Sequence, residues 1–130
     1  MIVIDASLAL DIALPTPDGG RLLERLRSAD GSLGAPEVID LEVLQVLRRH
    51  LRLERIDGAR AEAALEIFES LPIDRFSHRL TAARIWALRD NLTAYDAAYF
   101  ALAELLQAPL WTRDAKFLTV PSHAACVEVL

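Results

Sequence analysis

The N-terminal stretch MIVIDASLAL (residues 1–10) decides how the rest of the chain can fold. Its apolar run from Met1 to Ile4 is typical of a short strand buried on both faces, as in a parallel sheet. The strand ends on an acid, Asp5, and an ionised carboxylate beside a core is costly unless something compensates it. The rest of the sequence must therefore supply helices that cover the sheet and a partner for Asp5.

Apolar spacing and turn residues predict helices and strands that alternate along the chain. Helices are predicted within residues 16–30, 36–53 (opened by Pro36), 59–71, 77–91 and 93–108. Further strands are predicted at GSLGAP (31–36, a strand or a turn), PIDRF (72–76), PLWT (109–112) and ACVEVL (125–130), with a turn or short helix at RDAKFL (113–118). This alternation predicts an α/β sandwich with a mainly parallel sheet flanked by helices.

The faces of two segments are also predicted. In the helix over 77–91, the residues expected to face inward are Leu80, Ala83, Ala87 and Trp86. The one cysteine, Cys126, lies in the apolar stretch ACVEVL and is expected to be a small buried core residue rather than a reactive thiol.

Length and composition restrict the class of protein. The 130 residues fit one domain over 1–130, and the 53% hydrophobic content is that of a globular chain. No apolar run approaches the roughly 20 residues that cross a bilayer, and no signal-peptide pattern is present, so a cytoplasmic protein without membrane contact is expected. The net charge of −5 argues mildly against a general nucleic-acid-binding surface, although Arg, which outnumbers Lys, can form a local basic rim.

Four acids lie where ordinary surface acids do not. Asp5 and Asp114 follow predicted strands, and the carboxyl edge of an open α/β sheet is where sites form. Glu42 and Asp96 lie on helices among apolar neighbours and have no Arg or Lys at ion-pair spacing. Two carboxylates 4 Å apart repel by about 4 kcal/mol at an effective dielectric of 20. If the four acids meet, they need shared protons or a cation, and hard oxygen ligands suit Mg²⁺ or Mn²⁺.

Each acid also has an ordinary structural explanation. Thr93-Ala-Tyr-Asp96 matches the capping-box pattern, so Asp96 can serve to close a helix N-terminus. Asp5 can accept hydrogen bonds from the following turn, Glu42 can extend to solvent, and Asp114 can be a turn residue. Ser7 and Thr112 are either a helix cap and a strand residue, respectively, or neighbours of a metal site. The joint pattern of the four acids is a stronger signal than any one of them.

At this point the chain resembles the PIN-domain ribonucleases, and most closely the VapC-type toxins of bacterial toxin–antitoxin pairs. The stretches that carry the resemblance are MIVIDASLAL, APEVIDLEVLQVLRR, NLTAYDAAYFALAELL and LWTRDAKF, which occur in the family's order and span nearly the whole chain. The resemblance implies a three-layer PIN-like sandwich and an acidic pocket for Mg²⁺ or Mn²⁺. In that pocket Asp5 and Asp96 would be the firmest ligands, Glu42 and Asp114 would complete it, and Ser7 and Thr112 would lie around them.

The resemblance also implies an activity and partners. Such proteins are endoribonucleases that cleave RNA, often tRNA or rRNA, generally as homodimers that a cognate VapB-like antitoxin covers. Two alternatives stay open from the sequence. One is a nuclease with the same site that acts in RNA maturation or on DNA, outside any toxin system. The other is a non-catalytic interaction domain whose acids serve capping and solubility.

Overall fold

A five-stranded parallel sheet organises the chain. The computed structural model describes residues 1–29 and 31–130. The strands are β1 Ile2–Ile4, β2 Leu33–Pro36, β3 Ile73–Phe76, β4 Leu110–Thr112 and β5 Val127–Val129. They lie in the order β3-β2-β1-β4-β5, and every neighbouring pair is parallel. The predicted α/β class with a parallel sheet is therefore confirmed.

Helices fill the connections between the strands. Within the described ranges these are α1 Ala6–Ala13, α2 Gly19–Ser28, α3 Val38–Arg52, α4 Gly58–Ser70, α5 Ala82–Ala87 and α6 Ala94–Leu106, with 3₁₀ turns at His78–Leu80 and Ala115–Thr119. The first predicted helical stretch extended to Asp30, which lies outside the described residues. No helix in the described part of the chain combines the length and the apolar character needed to cross a membrane.

The order of the strands creates a switch point beside β1. From β1 the chain moves outward through β2 to β3, and it then returns past β1 to add β4 and β5 on the other side. Helix α1 contacts α2, α3 and α4, and α3 contacts α4, whereas α5 packs on α6, and α6 packs on β1, β2 and β4. The carboxyl ends of β1 and β4 therefore lie next to each other at the position where open α/β sheets place their sites.

The core lies between the sheet and the two groups of helices. All three residues of β1 are buried, as is an unbroken segment of α6 from Ala97 to Ala103. Apolar residues of α3 at helical spacing, Ile39, Val43 and Leu47, pack into the same core. The spacing of these three residues is that of one helical face, and the continuous burial in α6 follows from its packing on three strands of the sheet.

The segment 77–91 differs from its predicted helix. It is a 3₁₀ turn followed by the six-residue helix α5, and Leu80 and Trp86 are 63% and 68% exposed. Ala83 and Ala87 are exposed too, and Leu88 is the buried residue instead. The cause is the 3₁₀ turn, capped by Ser77, because it breaks the continuous 3.6-residue periodicity on which the prediction rested.

Two smaller predictions are also wrong. Cys126 is exposed. It directly precedes β5, which is the edge strand of the sheet and has no fully buried residue. Pro36 does not open α3: it is the last residue of β2, and the helix begins at Val38.

Candidate functional site

The Asp5 carboxylate is buried at the end of β1, and polar groups surround it. Asp5 is the N-cap of α1, where its Oδ1 accepts the backbone N–H of Leu8 at 3.0 Å. The Ser7 hydroxyl donates to the same carboxylate at 2.7 Å, and the Thr112 hydroxyl donates to Oδ2 at 2.6 Å. Asp5 is only 4% exposed. These donors replace the water that an ionised carboxylate loses on burial.

Ser7 and Thr112 connect β4 to β1 through Asp5. The Thr112 hydroxyl, which is fully buried, accepts the backbone N–H of Asp114 at 2.9 Å. The Ser7 hydroxyl accepts the backbone N–H of Arg113 at 3.0 Å. The turn after β4 is thereby fixed against the start of α1, which brings Asp114 towards Asp5.

Glu42 reaches the same region from α3. It is half-buried, and its Oε2 accepts a short hydrogen bond from the hydroxyl of Tyr99 on α6. Tyr99 itself is buried, so its hydroxyl holds Glu42 from the core side. The alternative that Glu42 extends freely to solvent does not describe this arrangement.

Asp96 lies in the first turn of α6 and is half-buried. The N-cap of this helix is Thr93, whose hydroxyl accepts the backbone N–H of Asp96 at 3.2 Å. The Asp96 carboxylate has no hydrogen-bond partner within residues 1–29 and 31–130. Its side chain is therefore not used for capping, although the helix N-terminus favours a negative charge at this position.

Asp114 is the only one of the four acids that forms an ion pair among the described residues. Its Oδ2 lies 3.0 Å from the ammonium of Lys116, and its Oδ1 accepts the backbone N–H of Lys116 at 3.1 Å. The second contact is the ordinary turn role that the sequence offered for Asp114. The first places a cation beside the acids.

The acids influence one another electrostatically. Burial raises the pKa of Asp5 above its ordinary value, and repulsion from Asp114 raises it further, against the hydrogen bonds that lower it. Burial also raises the pKa of Glu42, with added repulsion from Asp96 and Asp5. The pKa of Asp96 is raised by burial, lowered by Lys116 and raised by Asp114. The four carboxylates, which come from three helices or turns and one strand end, thus form one electrostatic cluster.

The donor set of this cluster fits a hard divalent cation. No group of three or more His, Cys, Asp or Glu side chains in the described part of the chain is already arranged to hold a metal ion. Mg²⁺ does not require such a cage, because it keeps several waters and binds through one or two carboxylates plus substrate phosphates. An ionised carboxylate has about four lone-pair sites, and the three donors on Asp5 leave one of them free. The raised pKa values of three of these acids mean that an added positive charge would relieve the cluster.

Three participants were missed by the reasoning from sequence. Tyr99 looked like one more apolar residue of α6, and nothing in its spacing indicates that it meets Glu42. Lys116 is the single lysine of the sequence, and its position along the chain does not indicate a contact with the acids. Arg113 binds Asp11 and Asp18 at 2.7 and 3.0 Å and so braces the turn between Thr112 and Asp114, a role that only the fold determines.

Comparison with known proteins identifies the family to which the chain is similar. The family model described as the PIN domain matches residues 2–122. Ribonuclease VapC12 of Mycobacterium tuberculosis is 35% identical over 130 residues, which cover 100% of this chain and 99% of that protein.

Solved structures agree at the level of the fold. The crystal structure of VapBC2 from Rickettsia felis, bound to a DNA fragment from its promoter, superposes with a TM-score of 0.71 at 16% identity, covering 99% of this chain and 98% of that one. VapC20 of Mycobacterium tuberculosis, described as a sarcin-ricin loop cleaving toxin, superposes with a TM-score of 0.68 at 17% identity, covering 93% and 95%.

Proposed function

This chain belongs to the PIN-domain family, among the VapC ribonucleases, and we propose that it is the toxin of a VapBC-like pair that hydrolyses RNA phosphodiester bonds with Mg²⁺ or Mn²⁺. The observation that carries the proposal is the convergence of Asp5, Glu42, Asp96 and Asp114 at the switch point of the sheet. A PIN-family chain whose four acids face a single ammonium among the described residues keeps the negative charge that a metal-dependent nuclease needs. The whole chain forms one domain in this proposal, since β5, beyond the matched residues 2–122, pairs with β4.

Asp5 and Asp96 would be the principal metal ligands, and Glu42 and Asp114 would complete the site. A bound divalent cation lowers the pKa of a coordinated water and stabilises charge on the phosphodiester under attack. The chain's own part is to hold the carboxylates: Thr112 and Ser7 orient Asp5, and Tyr99 orients Glu42. Asp96, without a hydrogen-bond partner in the described residues, keeps both oxygens available.

The hydrolysis itself needs in-line attack of water on the scissile phosphorus. A new phosphorus–oxygen bond forms, the bond to the leaving ribose oxygen breaks, and the water's proton passes to an acceptor. A carboxylate of the cluster within hydrogen-bond reach of that water would accept it.

The family resemblance implies a structured RNA such as a tRNA or rRNA as the substrate, and the names of the relatives support RNA as its class. The solved VapC20 is described as cleaving the sarcin-ricin loop, and we extend only the class, RNA, to this chain. Arg48 and Arg49 are exposed on α3 and line the same cavity as Glu42, so they would contribute phosphate contacts there.

A VapB-like antitoxin is the protein partner in this proposal. A cavity of about 920 Å³ lies beside Glu42, and its wall includes Leu41 and Leu44, which are 68% and 45% exposed. Ser7 and Arg113 line the same cavity on the side of the acids. An antitoxin segment with an apolar face and a basic side chain would cover these leucines and neutralise the acids. A homodimer and a cytoplasmic location also remain predictions for this chain.

Induced expression with RNA sequencing tests the proposal. Wild type and Asp96→Asn are expressed in bacteria, growth is followed, and total RNA is sequenced for new 5′ ends, with the soluble amount of both proteins checked. Growth arrest with discrete new ends in the wild type alone is the expected result. Equal growth with identical RNA ends would favour the non-catalytic interaction domain. Discrete ends without growth arrest would favour a nuclease of RNA maturation.

A further inference from the structure

Lys116 has an unusual position for the only lysine of a chain with 14 basic residues. It lies in the 3₁₀ turn after β4, and its ammonium is 3.0 Å from Oδ2 of Asp114. No other ion pair of the described residues includes Asp5, Glu42, Asp96 or Asp114. The charge balance is thus four carboxylates against one ammonium.

The Lys116 side chain lies largely in solvent. Its side chain is 67% exposed, whereas the carboxylate that it contacts is 33% exposed. A cavity of about 340 Å³ beside the acids is lined by both Asp96 and Lys116, with Asn91 and Thr119 as polar neighbours. The ammonium can therefore leave Asp114 and remain at the rim of the site without unfolding the turn.

We propose that Lys116 is a built-in counter-cation that competes with the divalent metal ion for the acid cluster. It neutralises part of the cluster while the site holds no metal, and it must give up Asp114 when the metal binds. Lys116 thereby weakens the metal affinity of the site and sets the metal concentration at which the site fills. This inference rests on the proposed metal-dependent function, because it describes how the same acids bind their cation.

Two physical facts support the competition. The ammonium and the metal ion are both attracted to Asp114, and each repels the other at short range. Asp96 and Asp5 also feel the Lys116 charge, so the competition is not confined to one carboxylate. Because exposed ion pairs are worth little at physiological salt, we expect an effect of about two- to fivefold on the dissociation constant of a divalent ion, not a loss of binding.

Calorimetric titration with Mn²⁺ alone tests the proposal. The proteins are the full chain as wild type, Lys116→Met, Lys116→Gln, Lys116→Arg and Arg60→Met, at one pH and constant ionic strength. Arg60 is exposed on α4, which contributes none of the four acids, so its variant changes the net charge equally and serves as the matched control. Thermal unfolding of each protein in EDTA and in saturating Mn²⁺ is the second measurement.

We expect Lys116→Met and Lys116→Gln to bind Mn²⁺ about two- to fivefold more tightly than wild type, and Lys116→Arg and Arg60→Met to bind like wild type. In EDTA the two neutral variants should unfold at lower temperature than wild type, and saturating Mn²⁺ should close that gap. The proposal is overturned if the wild type binds Mn²⁺ and both neutral variants bind it with the same affinity as the wild type or more weakly. Equal tightening in Arg60→Met overturns it too, because a general charge effect then suffices. Failure of every protein to bind Mn²⁺ instead refutes the proposed metal-dependent function and the inference together.

Discussion

Replacing Thr112 by valine tests whether the buried Asp5 is ionised and held in place by hydrogen bonds. The Thr112 side chain is fully buried, donates to Asp5 Oδ2 at 2.6 Å and accepts the Asp114 N–H at 2.9 Å. Valine keeps nearly the same shape and removes both hydrogen bonds. Serine keeps the hydroxyl and removes only a methyl group, so Thr112→Ser is the matched control.

The expected loss follows from the two hydrogen bonds. A hydrogen bond to a charged group contributes about 1.5–3 kcal/mol, and an unpartnered buried amide costs about 1–3 kcal/mol. Because such contributions overlap, we expect Thr112→Val to lower the free energy of unfolding by about 3 kcal/mol at pH 7.5. The serine variant should lose only about 1 kcal/mol, the value of one buried methyl group.

The pH dependence gives the sharper test. The bond from Thr112 lowers the pKa of Asp5, so its removal raises the folded-state pKa still further. The folded valine variant then binds more protons than the folded wild type. The difference in unfolding free energy between the two proteins must therefore grow as the pH rises through that pKa. Urea unfolding in EDTA, followed by the fluorescence of the buried Trp111, measures the deficit at pH 4.5 and 7.5. Equal deficits at the two pH values, or a serine variant as unstable as the valine variant, would refute this account of Asp5.

Three further predictions concern other parts of the molecule. Tyr99→Phe removes the hydrogen-bond donor to Glu42, so we expect urea unfolding to show a loss of about 1–2 kcal/mol in unfolding free energy. We also expect slower RNA cleavage, and unchanged cleavage would contradict the role of Tyr99 in orienting Glu42. Glu104→Gln weakens the contacts of Glu104 with Arg84 at 2.7 Å and with the Ala124 N–H at 2.8 Å, and should cost about 1–3 kcal/mol in thermal or urea unfolding while cleavage per folded molecule stays unchanged. Because Asp5, Glu42 and Asp96 have raised pKa values, the folded chain binds more protons than the unfolded one, so its melting temperature in EDTA should fall as the pH rises from 5 to 7.5. Mn²⁺ should reverse this fall. A melting temperature that responds neither to pH nor to Mn²⁺ would contradict the electrostatic coupling of these acids.

The sheet and the edge that carries the acids could be predicted because they depend on local patterns. The apolar run before Asp5 and the segment LWT before Asp114 are short and buried, and only a parallel sheet covers such strands on both faces. In a parallel sheet the carboxyl ends share one edge, so the two acids had to lie on the same side. The convergence of Glu42 and Asp96 on that edge required the family's order of motifs as well.

The errors arise where long-range packing overrides local pattern. The Trp86 segment has an apolar helical spacing, but the 3₁₀ turn before it shifts the phase, so Leu88 is buried and Trp86 is exposed. The contact between Tyr99 and Glu42 joins residues 57 positions apart and depends on how α3 and α6 approach each other. Sequence spacing carries no information about such a contact.

Cleavage of RNA by the purified protein tests whether this acid cluster makes the chain a metal-dependent ribonuclease. Wild type and Asp96→Asn, both shown to be folded by circular dichroism, are incubated with end-labelled total tRNA and rRNA in Mg²⁺, in Mn²⁺ and in EDTA. We expect discrete cleavage products with the wild type in either metal and none in EDTA. We expect at least a hundredfold slower cleavage with Asp96→Asn, on the order of the loss when a charge-stabilising group is removed from an active site. Equal cleavage by both proteins, or cleavage that persists in EDTA, would refute a metal-dependent ribonuclease site at these acids.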